Sequence, residues 1–149
     1  MIYDRTLQDV ENAKQIRLDK IQNFLALTDD DIAVLERGFV TINTLNRIED
    51  KQNELKSLLS DAGYYPATFE NKTWTNTDYF TSGDLKRICE NTRKLRDAFF
   101  VYNTTPENPM PKYYFEEFNK LEKILVDLFN MLDDMVSRYK RCGTFNCGG

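Results

Sequence analysis

Hydrophobic residues recur at intervals of three and four along most of this chain, most strictly between Tyr114 and Tyr139. Tyr114, Phe118, Leu121, Leu125, Leu128, Leu132, Met135 and Tyr139 are spaced 4-3-4-3-4-3-4, with Phe115, Phe129 and Val136 on one flank and Ile124 and Met131 on the other. The spacing predicts a long heptad helix over 113–140, with Leu121, Leu125, Leu128 and Leu132 buried. Its apolar arc is wider than a two-stranded seam and suits a bundle core or a multi-stranded coil.

Four more helices are predicted. Thr6 and Asp9 can cap a first helix over 6–26, whose stripe of Leu7, Val10, Ala13, Ile16, Ile21, Phe24 and Leu25 is ragged. Thr28 before Asp29, Asp30 and Asp31 opens a short one over 28–37, ending before Gly38; the carboxylates suit the positive end of a helix dipole. Leu45, Ile48, Gln52, Leu55, Leu59 and Ala62 define a third over 43–62, starting at Asn43 or Thr44 and stopped by Gly63. Thr81 or Ser82 opens a fourth over 82–100 with Leu85, Ile88, Thr92, Leu95 and Phe99 inward and Lys86, Arg87, Arg93, Lys94 and Arg96 outward. Between them, 64–80 lacks helical period and reads as an ordered loop or a short hairpin, and 101–112, with Pro106, Pro109 and Pro111, reads as a stiff connector. The expected fold class is therefore all-α, one helical domain over 1–140 with a short tail over 141–149.

Composition narrows the function. A chain of 149 residues holds one ordinary domain. Its 20 Lys and Arg against 24 Asp and Glu give a net charge of −4, which argues against nucleic acid as a partner, and the excess acid lies in residues 1–63. No apolar run approaches membrane-spanning length and the first residues lack a signal pattern, so synthesis in a cytoplasm and no membrane insertion are expected. His is absent, which removes the commonest general base and the commonest metal ligand.

No constellation supplies chemistry in their place, so no catalytic, cofactor-binding or metal site is expected and the chain is read as a non-enzyme. The doublets Glu49–Asp50, Glu116–Glu117 and Asp133–Asp134 point about 100° apart on a helix and read as solvated faces. The outward basic residues of the fourth helix are expected to bridge to the acidic first half. Cys89 reads as a small half-buried residue; Cys142 and Cys147 could close a small loop or lend two ligands to a shared zinc, and an intracellular origin favours free thiols. Trp74, the single Trp, is either a plug over a small core or an anchor for a partner.

The blocks YDRTLQDV, GFVTINTLNRIED, ELKSLLSDAGY, KTWTNTDY, LKRICENTRKLRDAF and LEKILVDLFNMLDDM occur in an order that spans most of the chain. In this they resemble a small helical module encoded in the tail region of prophages of low-GC Gram-positive bacteria, beside tail-fibre and baseplate genes. The chain departs from that pattern at its end, where Arg141, Cys142 and Cys147 replace an aromatic, Gly-rich tail. The resemblance implies a structural part of the virion tail, partnered by itself and by other tail proteins, with a trimer the expected copy number because fibre components are usually threefold. The competing expectation is a small acidic phage-encoded inhibitor or adaptor that binds a host protein. Residues marked for a protein interface are Trp74, Tyr114, Phe118, Ile124, Phe129, Met131, Val136 and Tyr139, because part of the wide apolar arc should face a second chain.

Overall fold

The computed structural model describes residues 1–144, with side chains as far as Tyr139. Cys147 and the end of the tail lie outside the described residues, as does the side chain of Cys142, so the expected thiol pair is not addressed. The described residues form five α-helices and no strand: α1 (Leu7–Ile16), α2 (Asp29–Gly38), α3 (Ile42–Asp61), α4 (Ser82–Ala98) and α5 (Phe115–Thr144). No helix among them is long and apolar enough to cross a membrane.

Helix starts follow the expected chemistry. At Thr6, Thr28 and Thr81 the hydroxyl accepts from the N–H three residues on, and the Asp at that position accepts the Thr N–H in return. The third helix begins earlier than Asn43: Thr41 caps it and accepts from the Thr44 N–H. Asp31 also takes a salt bridge from Lys20 at 2.5 Å; that contact and the Thr28 hydrogen bonds lower its pKa to about 2. Asp9, held by Arg37 and Thr6, is lowered too. A depressed carboxylate adds stability above its unfolded pKa of about 4 and loses it as pH falls through the folded value. Circular dichroism at 222 nm is therefore expected to hold steady down to about pH 4 and to fall between there and about pH 2.

The first helix ends well before residue 26. Past Ala13 its inward side continues through half-buried Ile16 to Lys20, and the chain widens into a π-helical turn over Arg17–Ile21. The Gln22 and Leu25 N–H groups reach back five residues to the Arg17 and Lys20 carbonyls. Phe24 then adopts φ 55° with its ring 96% exposed. An L-residue in the left-handed region costs about 1–2 kcal/mol, less for Asn. Phe24→Asn removes no packing and is expected to raise stability by about 0.5–1 kcal/mol, a Tm gain of about 1–4 °C. Gly38 belongs to α2 instead of following it. A Cβ there would strike the Ala13 side chain and the Asp9 carbonyl, so glycine lets α1 and α2 cross closely.

The other three helices run parallel. Their C-terminal ends meet where Tyr64, just after α3, packs edge-on against Phe99, just after α4, at 4.8 Å and sets its hydroxyl 3.7 Å from Met135 Sδ on α5. Their N-terminal ends lie under the edge-to-face row Trp74–Phe80–Tyr113. Parallel helices need connectors as long as themselves. A 20-residue helix is about 30 Å long, and the chain must travel that distance back before starting the next one. That is the physical reason for both long non-helical segments. The second of them descends α5 in order, Tyr102 to Asp134, Thr105 to Asp127 and the Met110 N–H to Glu117.

The core lies between α3, α4 and α5 and is completed by Phe69 and Trp74 from the first return segment. Leu121, Leu125, Leu128 and Leu132 are buried as expected, with Leu45, Ile48, Leu55, Leu59, Leu85, Ile88 and Leu95 facing them. α5 outlasts this core. Among the residues whose side chains are described, its last buried one is Leu132, Met135 still packs against the core, and the helix continues to Thr144.

Candidate functional site

Three carboxylates are buried, Glu49, Glu122 and Asp127; Glu49 and Glu122 each join three elements of the chain, and sequence reasoning anticipated neither. Glu122 sits on the apolar face of α5 between Phe118 and Leu125 and is wholly buried. It accepts from Arg5 Nη2 at 2.7 Å, Arg47 Nη2 at 3.1 Å and the Ile2 N–H at 2.5 Å. Asn119, one turn earlier on α5, accepts from the Arg5 N–H and donates to the Arg5 carbonyl. The N-terminal segment is thus bonded to α5 and α3 before α1 begins.

Glu49 is the second. It accepts from Trp74 Nε1 at 2.9 Å, from Arg87 at 2.6 and 2.9 Å and from the Lys72 N–H. This corrects the reading of Glu49 as part of a solvated doublet, although Asp50, Glu116, Asp133 and Asp134 are exposed. Trp74 takes the plug role. It is buried over the N-terminal end of α3, and Asn46 brackets its backbone, accepting from the Trp74 N–H at 2.7 Å and donating to its carbonyl at 3.0 Å. The rest of this return segment has no backbone ladder and takes its partners from helix side chains. Lys94 donates to Thr68 O, Lys56 to Phe69 O, and Asn91 and Arg87 to Glu70 O.

The basic face of α4 is therefore only partly turned to the acidic first half. Arg87 reaches Glu49, but Arg93 pairs with Glu90 and Asp97 on its own helix, and Lys86 is exposed. Cys89 is buried and its thiol is pushed up to about 11, chiefly by burial, so it stays protonated and a poor nucleophile near neutral pH. Both carboxylates are occupied by donors of their own chain. In this arrangement they tie helices and segments together rather than present a lone pair to a ligand.

Of the eight residues marked for an interface, Trp74, Phe118 and Ile124 are core residues and present no surface. The middle of the α5 arc is covered within one chain by α3, α4 and the two return segments, which the helical period alone does not count. Phe129 and Met131 are half-buried; Tyr114 is 62%, Val136 37% and Tyr139 80% exposed. The structure does not gather these five. Phe129 and Val136 line a groove of about 450 Å³ against α3, Met131 faces Tyr102 and Arg138, and Tyr114 lines a cleft with Leu7, Phe39 and Val40 at the base of the α1–α2 hairpin. A further exposed apolar surface, Leu18, Ile21, Phe24, Leu25 and Ile32, lies around the hairpin tip.

Comparison of the chain with protein-family models, with curated proteins and with solved structures finds no match.

Proposed function

We propose that this chain is a non-enzymatic structural protein of a bacteriophage tail, part of a fibre, baseplate or fibre adaptor, and that it acts by multi-copy packing against itself and other tail proteins. One observation carries the reading: the blocks on which the resemblance rests are the ones joined inside the molecule. Arg5 of the opening block, Arg47 of the NRIED block and Glu122 of the LEKIL block form one tie. Glu49 of NRIED, Trp74 of the KTWT block and Arg87 of the LKRI block form the other. Residues far apart in sequence that share one interior tie are what a common fold requires, which supports the resemblance.

Assembly is favoured by the apolar surface left at the hairpin tip and on the overhanging turns of α5 at Tyr139. In the trimer we propose, the C-terminal part of α5 lies near the axis and its middle serves the monomer core. The protein is made in the host cytoplasm and taken into the virion. Mass spectrometry of purified particles, with copy number, tests this: the expected result is the protein in intact particles in a multiple of three. Presence in the lysate but absence from particles would overturn it in favour of an acidic inhibitor or adaptor of a host protein. Light scattering at micromolar concentration tests the trimer, and a single 17.5 kDa species with no dye-binding apolar surface would refute it.

A further inference from the structure

The groove between α3 and α5 combines an apolar floor with acidic lining residues, and the Lys51 ammonium lies 4.0 Å over the Phe129 ring at its Glu54 end. Leu58, Ala62, Phe129, Leu132 and Val136 supply the apolar lining, and the polar lining residues, Glu54, Asp61 and Asp133, are all acids. Glu54 is engaged by Lys51 at 2.7 Å. Among the described residues no cation pairs with Asp61 or Asp133. Leu58 is 36% and Val136 37% exposed, so apolar surface stands open beside unpaired carboxylates on both walls.

Helix stability does not explain Asp61. It is the last residue of α3, at the negative end of the dipole, where a cation would be favoured and where α3 carries none. Asp61 is exposed and its charge is not met by its own helix, so it is open to a cation from outside the chain.

We propose that this groove docks an amphipathic helix of another protein, with apolar side chains at i, i+3 or i+4 and i+7 seated on Leu58, Ala62 and Val136 and Lys or Arg residues meeting Asp61 and Asp133. The walls run from Glu54 to Ala62 and from Phe129 to Val136, about two turns of each helix, which matches that anchor spacing. A second copy of this chain is a poorer occupant. Its exposed apolar tip carries Asp29 and Asp30 at the start of α2 and would bring like charge to the rim. The basic residues of α4 sit on a helix whose apolar side is already in the core. This inference deepens the packing reading above by naming the kind of partner, and it needs no particle for its test.

The probe is a fluorescein-labelled helical peptide of about 18 residues with Leu at i, i+3 and i+7 and Lys flanks, titrated into the full chain by anisotropy beside the same peptide with Glu flanks. The Lys peptide is expected to bind at least about tenfold more tightly at low salt, with the gap narrowing at about 0.5 M salt as the rim is screened. The Asp61→Lys, Asp133→Lys double variant is expected to reverse the preference while its Tm stays level or rises, since Lys suits the end of α3. Leu58→Glu is expected to weaken both peptides with the far-ultraviolet spectrum unchanged. Equal binding of the two peptides, binding of neither, or indifference to the double variant would overturn the inference. Self-association that Leu58→Glu abolishes would also overturn it, giving the groove to a second copy. Failure here with the protein present in particles leaves the tail reading standing, and success with the protein absent from particles removes the tail reading alone.

Discussion

Replacement of Leu125 by Asp is expected to abolish soluble, folded protein. Leu125 is 0% exposed at the middle of α5, within the cluster formed with α3 and α4. The substitution forfeits roughly 1.5–3 kcal/mol of apolar burial and places a carboxylate among hydrocarbon with no cation at hand. Desolvating that charge, or protonating it, costs several kcal/mol more, and a domain of this size has only about 5–15 kcal/mol of stability to lose. Asn130→Asp, made on the exposed side of the same helix, is the control and is expected to change stability by less than about 1 kcal/mol. Soluble expression with circular dichroism and Tm checks both. A Leu125→Asp protein that melts at the parent temperature would mean that the stripe is not the core.

The helices that fill this core were legible because their apolar spacing and their capping residues point the same way. Thr81 with Asp84 at its start and Leu85, Ile88, Thr92 and Leu95 along its face define α4 at both levels. Gly63, at φ 89°, ends α3 as expected. The first helix was overextended because Ile21, Phe24 and Leu25 counted as inward residues, whereas all three are exposed in the structure. Hydropathy reports what a residue prefers and not whether a partner is there to cover it.

Direction was not legible. A 3-4 spacing is the same for parallel and antiparallel neighbours, so the period could not say that α3, α4 and α5 run the same way. Yet the lengths of 64–80 and 101–112 hold that information. Antiparallel neighbours close with a few residues, and connectors this long suit a return along the helix just finished. Trp74 illustrates the same gap. Its isolation in a loop left both a plug and an anchor open, and what decides between them is Glu49, 25 positions away, accepting the indole N–H. The interface residues were the least legible part. Phe118 and Ile124 have the composition of an interface but are covered by their own chain, while Asp61 and Asp133, which rim the groove, carry no hydropathy signal.

Glu122→Ala is the substitution expected to cost most among the polar residues, because it strands a cation. Arg5 is 6% exposed, its Nη2 bonds Glu122 and its Nη1 bonds the Ile2 carbonyl, so loss of the carboxylate leaves the guanidinium buried without a counter-charge. The Ile2 N–H loses its acceptor as well, whereas Arg47, more open to water, can turn outward. Breaking one side of such a buried tie typically costs about 3–5 kcal/mol. The triple change Arg5→Met, Glu122→Leu, Arg47→Met removes all three charges together and is expected to regain most of that loss, because an apolar triad of similar volume has no desolvation cost to offset. Urea unfolding of the two variants beside the parent separates these cases. Amide exchange adds a local reading: in Glu122→Ala the Arg5 N–H, which bonds Asn119 one turn from the lost carboxylate, is expected to lose protection along with α1, while Leu55 and Leu128 in the core keep theirs until global unfolding. A Glu122→Ala protein as stable as the parent would mean that Arg5 and Arg47 are solvated and that the N-terminal segment is not tied to α5.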